Sequence, residues 1–167
     1  MSDIFAGRFT AKADQPFVVF LIGMRINQLW AVHRWLPVAQ AMVPMLQELY
    51  QHPEMGFLGA TFALTSRGPL TVQYWRSFED LERFARGPHN PHLPAWQRFY
   101  KASKDGAPVG IWHETYLIQP DQYEAVYVNM PAFGLASVTE HIPVTHHLDS
   151  ARQRLKRVEA VRGEAEG

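Results

Sequence analysis

Histidine is the residue type best suited to chemistry in this chain of 167 residues, which has eight histidines and no cysteine. Without cysteine, disulfides, iron–sulfur clusters, thiolate-ligated haem and thiol nucleophiles are all excluded. Imidazole titrates near neutral pH and also binds metals, so acid–base catalysis and metal binding both fall to histidine. Two histidines, His92 and His113, stand in segments whose predicted structures can bring them together.

A helix and then a strand are predicted between these two histidines, and together they bring the chain back to the height of His92 above the start of the helix. Asn90-Pro91 is a helix cap followed by proline, Asp105-Gly106 ends that helix, and Val109–Ile118 reads as a strand. The helix rises roughly 18 Å after His92, and the strand travels back roughly 17 Å to His113. If helix and strand are antiparallel neighbours and both side chains point inward, the two imidazoles face each other across a layer gap of about 10 Å.

A gap of this size fits a flat iron macrocycle. His92 lies in the first turn of the helix, where the helix dipole disfavours a positive imidazolium, so the ring should stay neutral and able to bind iron. His113 would stand on the opposite side with room for a substrate. Trp96, Phe99 and Ile111 are the apolar neighbours that would wall such a site.

Structural roles for both histidines remain open at this point. A histidine at a helix start is commonly a surface or capping residue, and a strand histidine beside a carboxylate such as Glu114 is commonly hydrogen-bonded core. Spacing alone favours those roles, because short motif matches are often false positives.

Two further groups of polar residues are weaker candidates. Arg25 and Asn27 end the first predicted strand and could supply polar groups at a pocket mouth, but a structural role at the strand end is equally compatible. A second histidine group has no convincing metal-ligand spacing and is interpreted as loop or surface; it comprises His141, His146 and His147.

The remaining elements follow from hydrophobic periodicity and turn residues. They are an apolar strand at Phe17–Ile22, a helix at Val32–Tyr50 kinked at Pro44, strands at Phe57–Leu64 and Leu70–Trp75, a helix from Ser77 to Gly87, and a strand at Tyr123–Met130. This order is typical of an α+β, ferredoxin-like unit with an antiparallel sheet.

One face of that sheet would be covered by helices, and the simplest cover for the other is a second copy of the chain, giving a dimeric α/β-barrel. Residues 1–150 are expected to form one domain, and residues 151–167 a polar tail with a frayed helix.

Composition excludes some partners. Lys plus Arg equals Asp plus Glu at 16 each, so neither a nucleic-acid surface nor a membrane patch is expected. The longest apolar run, Phe17–Gly23, is too short to cross a bilayer. Because Met1–Thr10 lacks the pattern of a signal peptide, a cytoplasmic location is expected.

Three segments, occurring in the same order, resemble the C-terminal part of aldoxime dehydratases, which are haem lyases that convert an aldoxime to a nitrile. The segments are Tyr74–Arg83, His89–Leu93 and Ile111–Glu114. The resemblance implies a haem b cofactor, with His92 as the proximal iron ligand and His113 as the distal acid–base residue.

The whole chain also resembles an uncharacterised family of short proteins that are labelled monooxygenase-like and belong to the dimeric α/β barrels. This second resemblance is carried by Gly23–Asn27, Tyr74–Ser77 and Trp112–Tyr116. Aldoxime dehydratases have two fused halves, so here a homodimer would supply the second half. Trp96 stands where small haem-degrading monooxygenases of this class carry an axial histidine, which favours haem use over haem degradation.

Together these observations lead to an aldoxime-dehydratase-like lyase acting on a small hydrophobic substrate, with His113, Arg25 and Asn27 as candidate catalytic residues. A haem-dependent monooxygenase or peroxidase is the first alternative. A haem carrier or sensor in which His113 ligates iron is the second, and a cofactor-free barrel that binds a small hydrophobic molecule is the third.

Overall fold

The computed structural model describes residues 3–87 and 107–155, which form an α+β fold with two sheets. The strands are β1 Phe5–Lys12, β2 Phe17–Ile26, β3 Phe57–Thr65, β4 Gly68–Trp75, β5 Val109–Ile118, β6 Tyr127–Met130 and β7 Glu140–Pro143. The helices are α1 Val32–Gln40, α2 Met42–Gln51 and α3 Phe78–Arg86. The chain divides into a larger unit, Val19–Tyr116, and a smaller unit made of Met1–Val18 and Leu117–Gly167.

The four-stranded sheet has the order β3-β4-β2-β5, which is that of a ferredoxin-like unit. Two hydrogen bonds at the end of β2 give the strand directions. Ile26 N–H donates to the carbonyl of Arg67 at 2.6 Å, and Asn27 N–H donates to that of Pro108 at 2.9 Å. Since these acceptors come just before β4 and β5, β2 is antiparallel to both neighbours. The predicted fold class is confirmed.

The hairpin between β3 and β4 lies where the sequence predicts it, but both strands extend closer to the turn than predicted. Thr65 pairs with Gly68. The Thr65 hydroxyl donates to the Gly68 carbonyl at 2.8 Å and accepts from Arg67 N–H at 3.2 Å. These side-chain bonds close the turn and extend the ladder to its last residue.

The prediction of one helix at Val32–Tyr50 with a kink at Pro44 is wrong in one respect. The segment forms two helices, α1 and α2, which are separated at Ala41. Proline has no N–H, and its ring clashes with the carbonyl four residues earlier, which here belongs to Gln40. The helix therefore ends before Ala41. Pro44 falls in the first turn of α2, where its N–H is not needed.

α3 begins and ends where the sequence predicts. Ser77 caps it by accepting the Asp80 N–H at 3.1 Å, and the helix stops before Gly87. The next predicted helix, with His92, Trp96 and Phe99, lies outside the described residues.

The three-stranded sheet of the smaller unit has the order β6-β1-β7, with both pairs antiparallel. The strand predicted at Tyr123–Met130 is shorter, because only β6 joins the ladder. Tyr123 instead accepts the Ala13 N–H with its hydroxyl at 2.6 Å. Residues 151–155 are helical, and the rest of the predicted tail lies outside the described residues. The single domain expected for residues 1–150 stays a prediction.

Candidate functional site

One face of the four-stranded sheet packs against α1, and we call it the helix face. A buried cluster on this face joins Met24 and Ile26 of β2 to Val109 of β5. The partly buried residues of α1 that pack against the cluster are Trp35, Val38 and Ala39. Side chains alternate along a strand, so this contact fixes the face of every other residue nearby.

His113 lies on the helix face. It follows Val109 and Ile111 at alternate positions of β5, and its ring contacts that of Phe20 with the centroids 5.6 Å apart. Phe20 in turn shares its face with Met24 by the same alternation along β2. The structure thus brings together two predicted site residues, His113 and Ile111, and adds Phe20, whose role the sequence analysis missed.

The His113 imidazole is exposed and has no hydrogen bond to any residue in 3–87 or 107–155. Its neighbour Glu114 projects from the other side of the strand, where it accepts the Tyr116 hydroxyl at 2.6 Å. That hydrogen bond raises the pKa of Tyr116. Glu114 is therefore committed elsewhere, and no side chain or backbone group in the described ranges occupies the His113 ring nitrogens.

The opposite face of the same strands is defined by two glycines. A Cβ atom at Gly23 would lie 2.8 Å from the indole of Trp112, and a Cβ at Gly110 would lie 3.9 Å from the Cβ of Arg25. Gly23, Arg25, Gly110 and Trp112 therefore share one face, which we call the opposite face.

Arg25 and Asn27 are consequently not brought together with His113, because the sheet separates them. The Arg25 Nε–H donates to Asn27 Oδ1 at 3.2 Å, and the Asn27 amide donates to the carbonyl of Ala107 at 2.9 Å. Asn27 thus ties the end of β2 to the segment before β5, and it holds the arginine in place.

The segment Trp75–Ser77, which carries part of both family resemblances, has a structural role. Trp75 is fully buried, and its ring contacts Phe57 and Phe84 with the centroids 5.4 Å away in each case. Arg76 Nε donates to the buried carboxylate of Asp80 at 2.8 Å. This bond is the main reason why the pKa of Asp80 lies below its ordinary value.

A buried polar row on β4 was also missed. The Trp75 indole N–H donates to Gln73 Oε1 at 3.1 Å, and the Gln73 amide donates to Thr71 Oγ1 at 3.3 Å. All three residues are buried. The sequence does contain a signal for this row, namely polar residues at alternate strand positions before a tryptophan. Buried polar groups need hydrogen-bond partners, and this spacing places such partners on one face of the strand.

His141 departs from the loop or surface interpretation, because it lies in β7 with its ring packed among aromatic side chains. The ring stacks on Phe9 at 4.6 Å and meets Phe5 edge-on at 4.9 Å. Both ring nitrogens are buried and have no hydrogen-bond partner among the described residues. Pairing of His141 with Ala11 of β1 places the ring there, and that pairing is not visible in local sequence.

Residues 3–87 and 107–155 contain no group of three histidine or carboxylate side chains that could hold a metal ion. Nor does this part of the chain have a helix with the length and apolar character needed to span a membrane.

Comparison with known proteins identifies the family. The sequence profile of the monooxygenase af470-like family matches residues 17–135. This chain belongs to the monooxygenase af470-like family. The matched region includes both faces of the sheet described above. The predicted resemblance to a monooxygenase-like family is confirmed.

Monooxygenase af470 of Aspergillus fumigatus is 26% identical, over 77% of this chain and 53% of its own length. A crystal structure of aldoxime dehydratase in complex with butyraldoxime superposes with a TM-score of 0.63 at 14% identity, covering 80% of this chain and 40% of that one.

A second aldoxime dehydratase structure gives a TM-score of 0.64 at 17% identity, covering 83% and 44%. At these identities the likeness to the two structures shows the fold. The chain spans about half the length of the relatives it matches.

Proposed function

We propose that this member of the monooxygenase af470-like family is a haem b enzyme that dehydrates small hydrophobic aldoximes to nitriles, with His113 as its acid–base residue. One observation carries the proposal. The His113 imidazole lies on the helix face without a hydrogen-bond partner among the described residues, and Phe20 is beside it. The likeness of the fold to aldoxime dehydratases supports the same assignment.

The described residues fit a haem on the helix face. An uncommitted imidazole is flanked there by apolar side chains, Phe20 and Ile111, as a distal pocket requires. His92 would hold the iron, and Trp96 and Phe99 would line the macrocycle; these three stand outside the described residues. When bound, haem supplies a Lewis-acidic iron for the oxime nitrogen.

His113 would move the protons of the reaction. The N–O bond breaks as the His113 imidazolium gives its proton to the departing hydroxyl, which leaves as water. The neutral ring then takes the proton from the adjacent carbon, and that C–H electron pair completes the carbon–nitrogen triple bond. There is no net oxidation or reduction. Positioned proton transfer of this kind contributes about 10²–10⁴-fold to the rate.

Family membership favours a second candidate, an oxidative reaction, because the curated relative is named a monooxygenase. The same side chains would serve such chemistry, since a distal imidazole can also move protons during oxidation. Product analysis separates the two candidates.

The proposal includes a homodimer. α1 covers one face of the four-stranded sheet, and a second copy of the chain would cover the exposed aromatic side chains Trp112 and Tyr116 on the other face. Closed twofold pairs are the commonest assemblies of soluble chains.

Absorption spectra of the protein with and without haem test the proposed cofactor. We expect a sharp Soret band in the wild type and its loss or strong weakening in His92→Ala. His33→Ala, an exposed histidine on α1, serves as the matched control and should keep the band. An unchanged spectrum in His92→Ala contradicts the assignment.

Offering aliphatic and aryl aldoximes to the ferrous protein then tests the reaction. Nitrile formation supports the lyase, whereas oxidation driven by hydrogen peroxide without nitrile supports the monooxygenase. A six-coordinate low-spin wild type that becomes high-spin in His113→Ala would instead indicate a carrier in which His113 ligates iron.

A further inference from the structure

The opposite face of the sheet carries an arginine whose charge is not neutralised by an acid anywhere in the described ranges. Arg25 is exposed and forms no ion pair with residues in 3–87 or 107–155. Its only hydrogen bond within those ranges is the one from Nε to Asn27 Oδ1. Within the described residues, the terminal N–H groups of the guanidinium therefore have no acceptor and can bind a ligand.

Asn27 gives this guanidinium a fixed orientation. The Asn27 amide is held by the Ala107 carbonyl, and its backbone N–H is held by the Pro108 carbonyl. Ala107 has a φ of +41°, an uncommon conformation for a residue other than glycine, which places it among backbone positions that are often associated with function. An arginine that is held before binding loses less conformational entropy when it captures a ligand.

Two glycines leave room beside Arg25. A Cβ at Gly110 would have nothing closer than 3.8 Å in its surroundings, so the surface there is open. At Gly23 the missing side chain admits the Trp112 indole, whose Nε1 lies 2.8 Å from the Cβ position. The indole N–H has no hydrogen-bond partner within the described ranges, and Trp112 is exposed. A second donor thus lies diagonally across from Arg25 on the neighbouring strand.

We infer that Arg25, Asn27 and Trp112 form a carboxylate-binding site on the face of the sheet opposite to His113. The guanidinium matches a carboxylate in a bidentate pair, with Asn27 as a positioning residue. Trp112 contributes an N–H donor and an apolar ring. Glu114 projects from the same face of β5, where its carboxylate accepts the Tyr116 hydroxyl.

The carboxylate has two potential sources, a free small molecule or an aspartate or glutamate of a second copy of this chain. Both would use the same guanidinium. The site does not depend on haem or on His113, so failure of the proposed reaction would leave this inference unaffected.

Titration of the ¹⁵N-labelled protein with benzoate, followed by NMR, tests the site directly. Benzoate should shift the Trp112 indole and Arg25 Nε–H resonances, whereas benzamide, its neutral analogue, should not. Arg25→Gln should abolish the shift of the Trp112 indole resonance, and Asn27→Ala should weaken binding about tenfold, because the guanidinium loses its charge-assisted hydrogen bond to Asn27. Arg67→Gln, another exposed arginine of the same unit, is the matched control and should bind normally.

Sedimentation of the same variants distinguishes the two sources. Benzoate binding that requires Arg25 supports a small-molecule site. If benzoate does not bind but Arg25→Gln lowers the mass to that of one chain while Arg67→Gln does not, the carboxylate comes from a second copy. If neither benzoate binding nor association depends on Arg25 in folded protein, as judged by circular dichroism, the inference is overturned.

Discussion

Replacing Asp80 by asparagine should destabilise the fold measurably, because this carboxylate holds the start of α3. The Asp80 side chain is only 6% exposed and accepts from Arg76 and Arg83 at 2.8 Å each. Hydrogen bonds to a charged group contribute about 1.5–3 kcal/mol when buried. The two arginines, however, are 58% and 71% exposed, which reduces each ionic contribution toward the 0.2–1 kcal/mol of surface pairs. We expect a net loss of about 1–3 kcal/mol.

The loss should depend on pH in a defined direction. Hydrogen bonding from Arg76 is the first reason why the pKa of Asp80 is lower in the folded protein. A group whose folded pKa is lowered stabilises the protein fully above its unfolded pKa, about 3.9 for aspartate, and loses this contribution as the pH falls through the folded value. The stability difference between wild type and Asp80→Asn should therefore be constant from about pH 7 to 5 and should narrow below about pH 4.

Urea unfolding followed by tryptophan fluorescence measures both effects. Glu82→Gln is the matched control, since Glu82 lies on the same helix and pairs with Arg86 while 41% exposed; it should cost under about 1 kcal/mol. The reasoning fails if Asp80→Asn is no more costly than Glu82→Gln at pH 7. It also fails if the difference grows toward acid pH.

Three further predictions concern other parts of the molecule. In urea unfolding, Gly56→Ala should lower the free energy of unfolding more than Gly7→Ala does. Both glycines have positive φ, but a Cβ at Gly56 would overlap the Asp80 carboxylate, whereas a Cβ at Gly7 would meet no atom within 4 Å. Arg154→Met should lower the free energy of unfolding by about 3–5 kcal/mol in the same assay, because it leaves the partly buried Glu124 without its partner. Arg152→Met, at an exposed position, is the control and should lower it little. Light scattering at micromolar concentration should give the mass of two chains, and a mass of one chain would refute the homodimer.

Elements defined by local signals could be predicted from the sequence. The turn between β3 and β4 and the start of α3 at Ser77 depend on residues adjacent in the chain, so they were found at or near their observed positions. The break at Ala41 was misplaced because the ring of Pro44 acts on the carbonyl of Gln40, one turn earlier.

Features that depend on pairing between distant segments could not be predicted in the same way. β1 contains a glycine and charged residues, and β7 is only four residues long, so neither has a clear strand pattern. They form a sheet because β1 pairs with β6 and β7, which are distant in sequence. Alternation within β5 correctly grouped Ile111 with His113. The position of Arg25 relative to His113 depends on the register of β2 against β5, and a slip of one residue would exchange the faces.

The rate of nitrile formation by the haem-reconstituted ferrous protein, compared between wild type and His113→Ala, tests the central claim most directly. His33→Ala is measured in parallel, and the Soret band is recorded for every variant. The account predicts nitrile from the wild type and from His33→Ala, and a rate lower by about 10²-fold or more in His113→Ala with its Soret band retained. Equal rates in wild type and His113→Ala, or no nitrile from a wild type that binds haem, would contradict it.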